Sequence, residues 1–124
     1  MSNGQGIEAA LRGESLEAVR LFMDVLHLAW EPFRDGIEVS WLLRPADSGQ
    51  PAAALLRYAP GAAVPLHRHP ARECIYVLSG SQVDERGTYP AGTLVVNEAG
   101  SSHSVVSPDG CVVLVAWERP VEFY

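Results

Sequence analysis

The sequence predicts one all-β barrel or sandwich domain preceded by a short helix. Two patterns carry that expectation: from Ile37 onward the chain is a succession of short apolar runs separated by turn residues, and before that point apolar residues recur at helical steps. Length bounds it. At 124 residues the chain is long enough for one compact core and too short for two ordinary domains.

The helix is expected over 15–30. Ser15 can cap it, while Val19, Phe22, Met23, Leu26 and Trp30 give one apolar stripe that Pro32 and Gly36 terminate. Residues 1–30 therefore read as a tail and a helix packing on the barrel, and residues 31–124 as the barrel itself. The strand runs are 37–43, 53–58, 74–78, 82–84, 94–97, 104–107 and 111–117. Between them stand Asp47-Ser48-Gly49, Pro60-Gly61, Ser79-Gly80, Arg86-Gly87, Pro90-Ala91-Gly92, Ala99-Gly100 and Pro108-Asp109-Gly110, each suited to a tight turn. No fixed-period repeat or low-complexity segment interrupts them.

Composition narrows the function classes. A hydrophobic share of 48% with 19% charged residues is that of an ordinary globular domain. With Lys+Arg 9 against Asp+Glu 15 and a net charge of -6, the chain has no positive field for a phosphate backbone, so no nucleic-acid partner is expected. The apolar stretch over 21–30 contains Asp24 and His27 and is shorter than the roughly 20 residues that cross a bilayer, so no membrane partner is expected. Residues 1–13 lack the basic and apolar regions of a signal peptide, and Cys74 and Cys111 have no CxxC spacing. A reduced, cytoplasmic setting follows, with both cysteines read as small buried hydrophobes.

Three of the four histidines fall in the β region, and His67 and His69 are separated by one residue. On an extended strand that spacing puts both imidazoles on one face, with Arg68 pointing the other way. Pro65 and Pro70 bracket the pair and stiffen the backbone around it. A short turn through Pro70-Ala71-Arg72 brings the Glu73 carboxylate beside the imidazoles. His103 lies far along the chain, but a closed barrel sets inward side chains of distant strands around one axis. The expected site is one divalent metal ion held by His67, His69, Glu73 and His103.

These residues carry a resemblance. The first motif of the cupin superfamily reads Gly, five residues, His-x-His, three or four residues, Glu, six residues, Gly, and the chain matches it at Gly61, His67, His69, Glu73 and Gly80. The second reads Gly, five residues, Pro-x-Gly, two residues, His, three residues, Asn, and is met at Gly92, Gly100 and His103, with Glu98 in place of proline and Ser107 in place of asparagine. With its flanks, the stretch from Arg57 through Glu73-Cys-Ile-Tyr-Val-Leu-Ser-Gly to Ser101-Ser-His-Ser and Gly110-Cys is similar to the ChrR-type cupins over residues 28–119. The resemblance implies a cupin (RmlC-like) double-stranded β-helix, or jelly-roll barrel. The namesake anti-sigma factors carry a separate zinc-binding helical domain with a CxxC pair. This sequence has no such pair, so anti-sigma activity is not carried over.

Three imidazoles and a carboxylate can close a tetrahedral zinc site or occupy four corners of an octahedron, so iron, manganese, zinc and nickel all remain open. One functional expectation is a non-haem metal-dependent dioxygenase or isomerase acting on a small oxygen-rich molecule. The other is a non-enzymatic module that senses a metal or ligand, resembling the ChrR C-terminal domain, with the helix as its partner surface. Pocket candidates are Arg57, Tyr76, Gln82 and Asn97; alternation from Glu73 places Tyr76 on the outer layer, and Arg57 needs either solvent or a buried anion. Trp30, Trp41 and Trp117 read as core or interface packing, and a small-molecule ligand and a homodimer are expected.

Overall fold

The computed structural model describes residues 29–47 and 49–124. The expected helix over 15–30 lies outside those residues except for Ala29 and Trp30, which belong to no regular element. Ten strands follow: β1 (Glu31–Arg34), β2 (Ile37–Leu43), β3 (Ala52–Tyr58), β4 (Ala63–Arg68), β5 (Glu73–Asp84), β6 (Gly87–Pro90), β7 (Leu94–Asn97), β8 (Ser102–Val106), β9 (Cys111–Trp117) and β10 (Glu122–Phe123). All pairings are antiparallel, and one curled sheet runs β1-β2-β3-β9-β5-β8-β4-β10 with β6 and β7 attached to β5. This is the all-β cupin barrel that the motifs imply. Among the described residues no helix is long and apolar enough to cross a membrane.

Alternation of side chains between the two faces of each strand builds the core. On β3 the inward residues are Ala52, Ala54, Leu56 and Tyr58, and on β9 they are Cys111, Val113 and Val115. Cross-strand register then stacks Leu56 on Val113, Ala54 on Val115, Ile75 on Val115 and Val77 on Val113. Glu73 shares the face of Ile75 and Val77, so a carboxylate is carried into an otherwise apolar interior.

β5 joins the two halves of the barrel. Its first residues pair with β7 and β9, while Ser81–Asp84 pairs with β6 and Val83 reaches β8. The register shifts between Val77 and Ser79, and Gly80 follows at φ 72°. A Cβ at Gly80 would overlap the carbonyl oxygen of Gly110, so only glycine lets the strand bend there. The tight turn expected at Ser79-Gly80 is therefore a bulge inside one long strand. Glycine composition marks a backbone irregularity without saying whether the chain reverses or only changes sheets.

Pro32, expected to stand just past the end of the helix, lies within β1, where an edge strand tolerates a residue that cannot donate to the ladder. β4 is formed by Ala63-Val-Pro-Leu-His-Arg, which lacks the apolar alternation of a recognisable run: Leu66 is exposed while His67 is buried. A register shift between Val64 and His67 is what turns the histidine inward.

Candidate metal centre

Register places the first two imidazoles. His67 on β4 is directly opposite His103 on β8, a cross-strand pair whose ring centroids are 4.7 Å apart. His69 lies just past the end of β4 but is held in line by two backbone hydrogen bonds, its N–H to the Ser101 carbonyl (2.8 Å) and its carbonyl from the Gly100 N–H (2.7 Å). Its ring is 4.7 Å from that of His103 and 5.1 Å from that of His67. Each of the three offers a ring nitrogen such that all lie within 4.8 Å of one another. Arg68 between the two points outward and pairs with Glu122 at 3.1 Å.

The outer partners decide which nitrogen each ring offers. His67 Nδ1 is 2.8 Å from the Pro65 carbonyl oxygen, and His103 Nδ1 is 3.0 Å from the Asp84 carboxylate; both partners only accept, so both Nδ1 atoms carry the proton. His69 Nδ1 is 2.9 Å from Ser101 Oγ, whose own hydrogen goes to the Glu98 carbonyl at 2.6 Å, so this serine also accepts. All three rings are thereby fixed with lone pairs on Nε2. The buried Nε2 atoms of His69 and His103 have no hydrogen-bond partner. Orphaned lone pairs at one buried point are costly without a cation, and this outer-partner pattern is how proteins orient metal-binding imidazoles.

Glu73 stands beside the trio. Its Oε1 lies 3.2 Å from His69 Nε2, an approach without hydrogen-bond alignment, because neither atom has a proton to give in the tautomer just derived. A cation between them satisfies both. Burial pushes the Glu73 carboxyl up, and the hydrogen bond donated by the Asn97 amide works the other way. Asn97, opposite Glu73 in the β5–β7 register, donates from Nδ2 to Glu73 Oε1 at 3.0 Å. Arg86 donates in turn to Asn97 Oδ1 at 2.8 Å and lies 3.5 Å from Asp84. For His67, burial is the leading influence and lowers the imidazole from its ordinary value, which favours the neutral, ligating form.

Asp84 is held firmly. Burial would raise its carboxyl, but hydrogen bonds from His103, from Tyr89 Oη (2.8 Å) and from the Arg86 backbone N–H (2.8 Å) outweigh it and leave the pKa at about 2. Asp84, Ser101, Tyr89 and Arg86 escaped the reading of the sequence. Asp84 left one usable sign, a carboxylate at the end of the 82–84 run on the same face as Gln82.

A cavity of about 270 Å³ opens from the imidazoles. His67, His103, Glu73, Gln82, Tyr58 and Arg34 supply its polar groups, and the rest is aliphatic or aromatic, including Leu56, Val64, Ile75, Val105, Val113 and Val115. Phe33 and Phe123, both substantially exposed, sit at its rim with Trp41 and Trp117. Phe33, Trp41 and Trp117 form a cluster with centroids 6.2 to 6.5 Å apart. The four pocket candidates separate clearly. Gln82 is buried and lines the cavity, and Asn97 is buried behind Glu73. The structure does not bring Arg57 or Tyr76 to it. Arg57 points outward, donating to Glu38 at 2.8 and 3.0 Å and lying 4.3 Å from the Trp30 ring, and Tyr76 is exposed on the same outer face.

The two motif departures are accommodated. Ser107 is fully buried and donates to the Ser81 carbonyl at 2.7 Å, tying the end of β8 to β5. Glu98 supplies the carbonyl that orients Ser101, and its carboxylate reaches Arg72 at 3.4 Å.

Comparison with curated proteins finds no match. Among solved structures the chain is similar to a protein of unknown function with a cupin-like fold from Ralstonia eutropha, at 22% identity over 71% of this chain and 59% of that one, with a TM-score of 0.64. It is similar to Rhodobacter sphaeroides SigE in complex with the anti-sigma ChrR at 27% identity, covering 73% of this chain and only 48% of that one, TM-score 0.63. It also resembles acetylacetone dioxygenase from Acinetobacter johnsonii at 17% identity, 76% and 70% coverage and a TM-score of 0.68. The model of one family, described as the ChrR Cupin-like domain, matches residues 18–121. The chain belongs to the ChrR Cupin-like domain family.

Proposed function

We propose that this chain is a metal-dependent cupin that binds a small, mostly apolar, oxygen-bearing molecule and acts on it as a dioxygenase. The observation that carries this reading is the shared tautomer: three buried imidazoles all turn Nε2 lone pairs to one point on the wall of an apolar cavity. His67, His69 and His103 would hold the ion, with Glu73 beside them. A first-row divalent ion bound there supplies Lewis acidity and, if it is iron or manganese, one-electron chemistry toward dioxygen.

The residues of the chain do the rest. Asp84, Ser101 and the Pro65 carbonyl hold the imidazoles in the ligating orientation, so little reorganisation accompanies loading. The valine-rich wall excludes water and favours an apolar substrate body. Burial pushes the Tyr58 phenol far up, so it stays protonated and serves as a donor at the cavity wall. The likeness to acetylacetone dioxygenase supports the reaction class at the level of fold. Isomerisation is the redox-free outcome that the same centre suits.

A second reading, a ligand- or metal-sensing module, is favoured by one observation, the family match and 27% identity to the ChrR complex. Oxygen uptake by the iron-loaded protein across a panel of small ketones, diketones and carboxylates decides between them. Uptake dependent on one compound class and lost in His103→Ala supports the enzyme. Metal-loaded protein that consumes no oxygen with any compound contradicts it, and a partner protein recovered only with the metal-loaded form favours the sensor.

A further inference from the structure

Behind the metal centre, on the outside of the barrel, lies a face that the site does not use. Glu73 and Asn97 point inward from the paired strands β5 and β7, so the alternate residues of those strands point out. Register sets Leu94 opposite Tyr76 and Tyr76 opposite Leu114, a row that crosses β7, β5 and β9, with Val96, Cys74 and Ala116 forming the next row. Leu94 is 61% exposed, Val96 41%, Tyr76 39% and Leu114 37%. No outward residue of β7, of β9 or of the first half of β5 is charged. The patch ends on β3, where Arg57 is paired with Glu38 at 2.8 Å.

Charge says what fits this face. A chain of net charge -6 repels its own copies over most of its surface. An uncharged apolar face is complementary to itself, which is what an interface about a two-fold axis requires. The edge beside it is equally unguarded. Among the described residues β7 pairs only with β5, and its Leu-Val-Val-Asn sequence has none of the lysines or prolines that keep strand edges from meeting. Area agrees. At roughly 200 Å² for a large side chain left fully bare, the four exposures amount to about 350 Å² of apolar surface per copy. Laid against its copy this becomes about 700 Å², which at the usual apolar share of about 60% belongs to an interface of about 1,100 Å², enough for a specific, reversible pair.

We propose that the outer face of β7, β5 and β9 is the contact between two copies of this chain, packed about a two-fold axis that passes near Tyr76. The aromatic side chain at the centre of the patch is the anchor, in keeping with the enrichment of tyrosine at interface cores. Phe33, Trp41, Trp117 and Phe123 at the cavity rim do not belong to this face, so both cavities stay open in the pair. The proposal does not depend on the metal-dependent reading above.

Sedimentation of the full chain over about 1 to 300 µM tests this, and the expected result is a monomer–dimer equilibrium with a micromolar dissociation constant. Tyr76→Lys and Tyr76→Glu, each confirmed as folded by circular dichroism, should weaken self-association about 100-fold or more, because like charges then face each other across the axis. An equal mixture of the two variants should regain the dimer, because opposite charges then meet. Leu94→Ser, which adds no charge, should weaken the dimer about tenfold and serves as the second variant should either charge impair folding. A wild type that stays monomeric throughout, leaving the face to residues 15–28 or to another protein, overturns the proposal. So does a dimer unchanged by the Tyr76 and Leu94 substitutions, or a mixture of the two folded Tyr76 variants that stays monomeric.

Discussion

Replacing Asp84 with asparagine changes one atom and should cost metal affinity without costing the fold. Asp84 Oδ2 accepts from His103 Nδ1 at 3.0 Å, and Oδ1 accepts from Tyr89 Oη and the Arg86 N–H, each at 2.8 Å. An asparagine has one accepting oxygen for these two positions. If the oxygen serves Tyr89 and Arg86, the amide faces His103 Nδ1 and drives the proton to Nε2, which removes the ligand. If the oxygen serves His103, the amide opposes the Arg86 N–H, donor against donor, and the loop after β5 must shift. Either way His103 loses orientation, and partners of this kind are worth about 10- to 100-fold in metal affinity, or roughly 1.4–2.7 kcal/mol. The assay is competition between the apo protein and a chelating dye for zinc, with circular dichroism to confirm the β fold. Asp84→Asn protein that is folded and binds zinc as tightly as wild type would refute the argument that the Asp84 carboxylate sets the His103 tautomer.

Other outcomes follow from the same structure. Adding metal at about one hundred times its dissociation constant should stabilise the fold by about 2.7 kcal/mol, seen as a melting-temperature rise of roughly 10 °C that a chelator reverses. Gly80→Ala should destabilise by about 2 kcal/mol or more, read from the urea midpoint, because a Cβ there meets the Gly110 carbonyl on a backbone at φ 72°. Burial pushes the Cys111 thiol up, so thiol titration of native protein should modify at most Cys74, with Cys111 reacting only after denaturation.

The sequence was most legible where one residue's environment repeats along a strand. β2, β7 and β9 lie where the apolar runs 37–43, 94–97 and 111–117 stand, because each is a short apolar run bounded by turn residues. β1, β4 and β10 were not legible, since Pro32, Pro65 and the short Glu122–Phe123 pair take their strand character from neighbours rather than from pattern. Motif spacing pointed to His67, His69 and His103, and the structure brings their ring nitrogens together. It did not reveal Asp84 or Ser101, which act on His103 and His69 across strands that only the closed barrel brings near. Arg57 shows the opposite case: a charge in a strand run found its partner in Glu38 on the solvent face, a pairing fixed by the β2–β3 register and invisible in spacing.

Anomalous diffraction from crystals of the metal-loaded, untagged protein tests the central claim most directly. The account predicts one ion at close to full occupancy, about 2.1 Å from Nε2 of His67, His69 and His103, with each Nδ1 still bonded to its outer partner. An ion bound through any Nδ1, or crystals grown with excess metal that show none between the three rings, would contradict it.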